Sequence, residues 1–415
     1  MQLPNHGANP QNVYHQLGLS MPEEVYDFSE NVNSAGPPLF VEARWRTFYP
    51  LIQRYPDPDG EPFLSKVAVF HDVQKDSVLL GNGASELFSV LVRRYANKRV
   101  IIVHPTFSEY ERTLRAVGAE IVPVIVEDIV HYTLPMEHLK REMANADALY
   151  ICTPNNPTGV LPKKEELLEL ISHGTKVNCE LVFDEAFIDW VDEACSLIQY
   201  VAENPHLIIV RSMTKMYAIP GLRLGYLVAS PIVVADLKSI LPHWNLNAFA
   251  LVVGTGCLDE HEYCEQAIAY AKNQRESLQS YLQEHGCQVT NSVTNFVCFT
   301  LPKNQQADTF FTYCLSKGVV LRHTKNFMGL NGEWFRIGIK DIAAMTYLQN
   351  CLEAWFNFFQ QKSPSSIGGE MNAVLSLLSA DVQSSVPVAT LFGTKTSAEI
   401  NRGIQSKNAT SCGND

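Results

Sequence analysis

Short apolar runs alternate with longer amphipathic segments along the first half of the chain. The apolar runs occupy residues 100–103, 148–152, 181–183 and 207–210, and residues 163–172 form one of the amphipathic segments between them. A short, continuously apolar run is typical of a strand that is buried on both faces, and helical patterns between such runs are typical of crossover connections. The pattern therefore predicts an α/β protein with a largely parallel sheet covered by helices.

The pattern changes in the second half of the chain. Helical periodicity dominates from Val233 to residue 285, with interruptions near Pro242 and Gly254. Residues 288–301 and 319–321 then predict strands, and a helical pattern over 342–360 follows them. A chain of 415 residues commonly forms more than one domain. We therefore expect a large domain followed by a smaller one.

The last segment, residues 361–415, has a different composition. It is rich in Ser, Gly, Asn and Thr, and Phe392 is its only aromatic residue. Such a segment has too little apolar surface to bury, so we expect a largely disordered or loosely docked extension.

Charge and cysteine content narrow the functional classes. The formal net charge of −12 disfavours nucleic acid and anionic membranes as partners. No apolar run is long enough to span a bilayer. Ten cysteines occur without CxxC pairs or metal-like spacing, which indicates reduced core residues. We expect a cytoplasmic enzyme without a metal site.

One lysine stands out by its neighbours. Lys215 follows Ser212 and precedes a glycine-rich turn that carries Arg223. A lysine that forms a Schiff base needs a confined, partly dry site, and a nearby cation can hold an anionic group of the cofactor. The alternative is an ordinary surface lysine beside a turn.

Two further segments lie at the ends of predicted strands. Asp184 directly follows the apolar run 181–183, and a carboxylate at a strand's carboxyl end faces the crevice where open α/β sheets bind ligands. It could pair with a protonated ring nitrogen, or it could be a helix cap or a solvated loop acid. Asn156 lies in the turn-rich segment 153–159 after the run 148–152, and a plain turn would explain that segment equally well.

A glycine turn suggests a place for a phosphate. Gly83, Ala84 and Ser85 follow the strand-like residues 77–80 and open an amphipathic segment. The start of a helix offers free N–H groups and a positive dipole end, although an ordinary capped helix has the same pattern. Taken together and in this order, these segments are more specific than any one of them alone.

The combination resembles the class I and II pyridoxal-phosphate enzymes of the aspartate aminotransferase fold type. The resemblance implies fold type I, with a large, mostly parallel seven-stranded α/β/α domain and a smaller α+β domain. It implies pyridoxal 5'-phosphate as the cofactor, Lys215 as its Schiff-base lysine and Asp184 as the partner of the pyridine nitrogen. The resemblance also implies that Asn156 contacts the phenolic oxygen of the cofactor and that Phe107 stacks on its ring. The implied phosphate cup consists of Gly83, Ala84, Ser85, Ser212 and Arg223. The resemblance further implies a homodimer in which Tyr55 reaches the phosphate bound by the neighbouring subunit.

The resemblance covers roughly the first 360 residues and implies a division of the chain. The expected parts are an N-terminal arm over the active site at 1–40, a large cofactor-binding domain at 41–245, an interdomain helix at 246–285, a small domain at 286–360 and the extension at 361–415.

The N-terminal segments 6–9 and 27–33 resemble the opening of threonine-phosphate decarboxylases, a group close to the histidinol-phosphate aminotransferases. Members of the first group release carbon dioxide from L-threonine O-3-phosphate and form (R)-1-amino-2-propanol O-2-phosphate for cobalamin biosynthesis. The resemblance implies a small phosphorylated amino acid as substrate. The implied substrate contacts are Arg336 at the α-carboxylate, Arg322 at the phosphate, and His6, Asn33 and Asn156 as helpers.

The opening departs from the usual pattern of that group. Ala8 replaces a second glycine, Glu30 replaces an alanine-like residue, and Ser34 replaces a proline. A decarboxylase of O-phosphoserine therefore stays open, because one methyl group is worth only about 1–3 kcal/mol of discrimination. Histidinol-phosphate aminotransferase is the alternative enzyme, and a regulator with the same fold is the non-enzyme alternative. The bond that breaks depends on a torsion that the sequence does not give.

Overall fold

The structure is a computed structural model that describes residues 3–360. The extension predicted for residues 361–415 lies outside the described residues. The chain divides into one unit, Met1–Lys340, and a second unit that begins at Asp341. The cavity described below belongs to the first unit, and the last described helix belongs to the second. The domain boundaries inferred from the sequence stay a prediction.

The strands are mostly short and apolar. They are β1 (Tyr26–Asp27), β2 (Val78–Gly81), β3 (Arg99–His104), β4 (Glu120–Ile125), β5 (Ala148–Cys152), β6 (Glu180–Asp184), β7 (Leu207–Ser212), β8 (Gly225–Val228), β9 (Gln288–Val289), β10 (Phe296–Thr300), β11 (Val319–Val320), β12 (Arg322–His323) and β13 (Trp334–Gly338).

The helices range from a single turn to the long α11. They are α1 (Pro10–Leu17), α2 (Leu39–Ala43), α3 (Trp45–Phe48), α4 (Phe63–Phe70), α5 (Ala84–Leu91), α6 (Glu109–Ala116), α7 (Met136–Met143), α8 (Lys164–Val177), α9 (Pro231–Lys238), α10 (Ala248–Cys257), α11 (His261–Glu284), α12 (Ala307–Ser316) and α13 (Ile342–Gln360). Within the described residues, no helix is both long and apolar enough to cross a bilayer.

A seven-stranded sheet forms the centre of the first unit, with the strand order β2-β8-β7-β6-β5-β3-β4. The strands from β7 to β4 pair in parallel, and β8 runs antiparallel to both of its neighbours. Residues of β3, β5, β6 and β7 contribute to two apolar clusters, because alternate side chains point to opposite faces. The predicted α/β class and the mostly parallel seven-stranded sheet are confirmed.

A smaller antiparallel sheet, in the order β12-β13-β10-β9, follows in the chain. Its register places Arg322 of β12 directly opposite Arg336 of β13. Residues directly opposite each other on an antiparallel pair share one face of the sheet. The sheet therefore presents the two arginines side by side.

Candidate active site

A cavity of about 280 Å³ lies where the parallel strands end. Asp184 is the last residue of β6 and Ser212 the last residue of β7, and both line the cavity. This edge is where open α/β sheets bind ligands, because the loops that follow the strands separate there. The N-terminal residues 5–8 and 29–32 form another part of the wall. Arg322 and Arg336 of the small sheet also line it.

Lys215 is half-buried in this cavity, in the loop after β7. Burial, and then the positive charges of Arg336 and Arg223, lower the pKa of its amine from 10.5 to about 8. Such a value makes the neutral, nucleophilic amine accessible near neutral pH. Next to this loop, Ser212 Oγ and Thr214 Oγ1 are 2.8 Å apart.

Asp184 is 5% exposed and lines the cavity. Its carboxylate accepts hydrogen bonds from the hydroxyl of Tyr110 and, at 3.0 Å, from the backbone N–H of Ala186. Burial raises the pKa of Asp184 to about 6, although both hydrogen bonds act in the opposite direction. An ionised carboxylate held in this way suits a protonated ring nitrogen.

The start of α5 forms another part of the cavity wall. Ala84 and Ser85 line it, and Gly83 precedes them with a φ of 79° and a ψ of 159°, a conformation that essentially only glycine adopts. A Cβ at Gly83 would collide with the guanidinium of Arg223. Free N–H groups, a hydroxyl and a guanidinium therefore converge where an anion can bind.

Arg336 is 6% exposed and is held by neutral acceptors. Its guanidinium donates to Asn156 Oδ1 at 2.5 Å and to the carbonyl of Ser29 at 2.6 Å, while its Nε finds no partner within residues 3–360. Burial lowers the pKa of Arg336 to about 10, so it stays charged at neutral pH.

Arg322 has a similar environment on the neighbouring strand and is 4% exposed. It donates to the carbonyl of Asn5 at 2.6 Å and to Asn326 Oδ1 at 2.7 Å. Burial and the charge of Arg336 lower the pKa of Arg322 to about 9. Among the described residues, neither arginine has a carboxylate partner. Two like charges buried side by side indicate a site that binds anionic groups of a ligand.

The N-terminal segment is tied down at both sides of the cavity. His6 Nε2 lies 3.0 Å from Glu109 Oε1 on α6, and His323 Nε2 lies 2.9 Å from the carbonyl of Pro4. His6 lines the cavity, as the resemblance implied. Its contact with a substrate stays a prediction.

Asn33 lies away from the cavity lining. Its Nδ2 donates to the carbonyl of Met216 at 2.9 Å and to the hydroxyl of Tyr263 at 3.0 Å, and its Oδ1 accepts from Ala35 N–H. Asn31 does line the cavity and is 3% exposed, and its Oδ1 has no hydrogen-bond partner in the part of the chain that the structure describes. Asn31 is therefore better placed than Asn33 to meet a ligand.

Two predicted aromatic contacts differ in their surroundings. Phe107 lines the cavity and meets Tyr110 edge to face at 5.7 Å between ring centroids. Tyr55 is 82% exposed, and its ring lies tilted against Trp244 with 5.0 Å between the ring centroids, outside this cavity. That position fits a residue that acts on another subunit, and the contact stays a prediction.

Sequence reasoning missed Tyr110, Asn31 and the role of Glu30 in the cavity wall. Tyr110 carries no local signal beyond its place in α6, because its contact with Asp184 joins residues far apart in the chain. Asn31 lies in the same short segment as Asn33, and only the direction of each side chain separates them. Glu30 was visible as a departure from a family pattern.

The family model for class I and II aminotransferases matches residues 24–351. Threonine-phosphate decarboxylase of Salmonella typhimurium is 31% identical over 350 residues, which cover 81% of this chain and 93% of that protein.

Two solved structures add to this similarity. Histidinol-phosphate aminotransferase from Clostridium acetobutylicum has a TM-score of 0.75 at 26% identity, covering 80% of this chain and 98% of that one. Histidinol-phosphate aminotransferase from Sinorhizobium meliloti, in complex with pyridoxal-5'-phosphate, has a TM-score of 0.71 at 20% identity, with 82% and 92% covered. The second likeness concerns the fold alone.

Proposed function

Because the chain belongs to the class I and II aminotransferase family, whose cofactor is pyridoxal phosphate, we propose that it decarboxylates L-threonine O-3-phosphate. The product is (R)-1-amino-2-propanol O-2-phosphate, for cobalamin biosynthesis. The similarity to threonine-phosphate decarboxylase over most of both chains supports this choice. The observation that carries the proposal is the pair of buried arginines, Arg322 and Arg336, in the cavity of Lys215.

The residues of the cavity fit the cofactor. Lys215 offers an amine for its aldehyde, and Asp184 offers a buried carboxylate for its ring nitrogen. A Cβ at Gly83 would meet the guanidinium of Arg223, so glycine at this position lets that cation lie beside the start of α5, where a phosphate can bind. When bound, the cofactor supplies a ring that accepts the electrons of a broken Cα bond.

The two arginines orient the substrate. The guanidinium of Arg336 can bind a carboxylate through two parallel hydrogen bonds, and Arg322 on the neighbouring strand can bind the phosphate. Two fixed anionic groups leave the substrate little freedom to rotate about Cα, which selects the bond that is aligned with the ring system. Lys215 can then deliver a proton from Nζ, because a pKa of about 8 keeps both protonation forms accessible.

The test measures carbon dioxide release from phosphothreonine without any keto acid. We expect release by the wild type, loss of release in Lys215→Ala, and a fall in kcat/KM of about 10- to 100-fold in Arg336→Lys, because lysine cannot replace the paired hydrogen bonds. Borohydride reduction of the loaded protein should attach the cofactor to Lys215. If the protein only transfers the amine of histidinol phosphate to a keto acid, the proposal is wrong and the aminotransferase reading replaces it. Faster release from phosphoserine would change the substrate.

We also propose that the protein acts as a homodimer in which Tyr55 reaches the phosphate end of the partner's cavity. Large apolar side chains are exposed on α2, α3, the 3-10 turn Tyr49–Gln53 and the loop after it. The exposed fractions are 62% for Leu39, 52% for Trp45, 67% for Tyr49, 63% for Ile52 and 82% for Tyr55. Exposed apolar residues gathered in one region of a chain favour a protein interface.

The expected cytoplasmic location stays a prediction.

A further inference from the structure

Glu30 places a carboxylate in a cavity that otherwise gathers cations. It lines the wall between Ser29 and Asn31, and its Oε1 accepts a hydrogen bond of 2.8 Å from Lys340 Nζ. The side chains of Glu30 and Lys340 are 34% and 14% exposed. The contacts that the resemblance implies do not include this charge.

The backbone around Glu30 is fixed by the small sheet. The carbonyl of Phe28 accepts from Gly338 N–H at 2.9 Å, and the carbonyl of Asn31 accepts from Asn295 Nδ2 at 3.0 Å. Between them, the carbonyl of Ser29 accepts from Arg336. Because these bonds do not involve the side chain at position 30, a substitution there changes a charge without changing the path of the chain.

Four charged residues act on the amine of Lys215. Arg336 of β13 and Arg223 disfavour its protonated form, whereas Glu30 and Asp184 favour it. Glu30 is itself faced by Lys340 and by Asp27. The other titratable or charged residues that line the cavity are His6, Cys152 and Arg322.

Asp184 and Glu30 are the carboxylates that line this cavity among the described residues. In the proposed function, on which this inference rests, Asp184 would hold the ring nitrogen of the cofactor, and Lys215 would carry a free amine while the substrate is bound. The released lysine then needs an anion if it is to hold a proton in a cavity that contains Arg223, Arg322 and Arg336. Glu30 is the carboxylate that remains available.

We propose that Glu30 is a positioning residue that acts as the counter-ion of the released Lys215. Lys340 orients the carboxylate, and Glu30 holds the ammonium group of Lys215 on the substrate side of the cavity. When Cα is protonated, the proton leaves Nζ, Lys215 becomes neutral and Glu30 stays ionised. Glu30 itself transfers no proton.

The test measures the titration of Lys215 in the full chain without cofactor. Competitive labelling with limiting acetic anhydride across a pH series, read by mass spectrometry, gives the midpoint at Lys215. The exposed Lys163 in the same digest serves as the internal reference. We expect Glu30→Gln to lower the midpoint by about half a pH unit or more, because a nearby opposite charge is lost. We expect Lys340→Met to raise it, because Glu30 is then no longer neutralised.

The opposite signs separate this role from a structural one. If the ion pair only stabilised the fold, both variants would lower the unfolding temperature. The two variants would then not shift the titration midpoint of Lys215 in opposite directions. A midpoint that is unchanged in Glu30→Gln, or that falls in both variants, overturns the proposal. Glu61→Gln, which breaks a comparable pair with Lys75 away from the cavity, should leave the midpoint unchanged.

A second measurement uses the loaded enzyme. If the protein releases carbon dioxide from phosphothreonine, the alkaline limb of kcat should shift to lower pH in Glu30→Gln by the same amount as the midpoint. If the alkaline limb of kcat does not move although the titration midpoint of Lys215 has shifted, Glu30 does not act as the counter-ion during turnover. Absence of any carbon dioxide release would count against the proposed function, while the labelling experiment would still report on Glu30.

Discussion

Individual buried charges control what the cavity can do. Burial raises the pKa of Asp184 to about 6 and lowers the pKa of Lys215 to about 8. At pH 7 the carboxylate is therefore mostly ionised and the amine mostly protonated, yet each is within about one unit of its other form. This is the range in which small changes at neighbouring residues alter cofactor binding and proton transfer.

Tyr110 provides a test of this control. Its hydroxyl donates to Asp184 and opposes the rise in pKa that burial causes. Tyr110→Phe removes this hydrogen bond, so the pKa of Asp184 should rise further. We expect the affinity for pyridoxal phosphate to fall by about 10-fold at pH 7, since a hydrogen bond to a charged group contributes about 1.5–3 kcal/mol. Fluorescence titration of the cofactor-free protein measures the change.

The pH dependence and a control variant make this prediction specific. The loss should be larger at pH 6 than at pH 8.5, because a carboxylate with a raised pKa is protonated first as the pH falls. Tyr132→Phe removes a hydroxyl that is equally buried but has no hydrogen-bond partner among the described residues. It should leave cofactor affinity unchanged. A loss in Tyr110→Phe that does not vary with pH would argue for a packing effect.

At the scale of elements, the proposed phosphate site depends on how closely α5 and β8 approach each other. A Cβ at Gly225 would lie 2.8 Å from the backbone nitrogen of Ala84, and a Cβ at Gly83 would collide with Arg223. Glycine at both positions lets the helix start and the guanidinium share one small space. The proposed phosphate cup thus depends on packed backbone as much as on side chains.

Gly83→Ala should therefore weaken cofactor binding strongly. The variant must place an L residue at a φ of 79° and displace the guanidinium of Arg223. Strained backbone of this kind costs about 1–3 kcal/mol, which corresponds to about 5- to 150-fold in affinity if the cavity alone takes the strain. Titration with pyridoxal phosphate measures affinity, and thermal unfolding without cofactor measures the cost to the fold.

Gly18→Ala is a matched control for that variant. Gly18 follows α1 with a φ of 65°, and a Cβ there would meet no atom within 4 Å. It should lower the unfolding temperature slightly and leave cofactor affinity at the wild-type value. Equal loss of affinity in the two variants would mean that Gly83 acts through stability alone.

The elements differ in how far the sequence predicts them. Buried central strands such as β5 and β6 are continuous apolar runs, so their positions follow from composition. The edge strand β4 was not predicted, because it is partly exposed and contains Pro123. The insertion of β8 between β2 and β7 is a pairing between distant segments, which no local pattern encodes.

The candidate site shows the same division. Lys215 and Asp184 lie beside strand ends, where topology alone brings such residues to one edge of the sheet. Asn33 was predicted at the cavity, but its side chain caps a turn by accepting from Ala35 N–H and binds the carbonyl of Met216. The direction of that side chain follows from tertiary contacts and not from its position in the chain.

At the scale of the whole molecule, the cavity and the chain as a whole differ in the sign of their charge. The chain carries a formal net charge of −12, whereas Lys215, Arg223, Arg322 and Arg336 gather around one cavity. A cationic cavity in an acidic protein concentrates small anions while the rest of the surface repels large polyanions. This arrangement favours a small phosphorylated substrate.

The exposed apolar residues of the N-terminal half lead to a prediction about assembly. We expect the protein to sediment with twice the mass of the chain, and Ile52→Glu to shift it to the monomer, because a carboxylate buried without a partner costs several kcal/mol. Ile232→Glu is the control, since Ile232 is 82% exposed on α9 and lies outside this region. Dissociation by both variants would point to a general loss of solubility.

The assembly should also matter for the cofactor, since we propose that Tyr55 crosses to the partner's cavity. Tyr55→Phe keeps the ring that contacts Trp244 and removes only the hydroxyl. We therefore expect an intact dimer with about 3- to 10-fold weaker affinity for pyridoxal phosphate, because one hydrogen bond to a charged phosphate is lost. In the monomeric Ile52→Glu protein, the same substitution should have no additional effect, since Tyr55 then has no partner's cavity to reach. If Tyr55→Phe weakened the affinity for pyridoxal phosphate equally in the dimer and the monomer, Tyr55 would not act in the partner's cavity. A wild-type monomer with full activity would contradict the proposal that the dimer is needed.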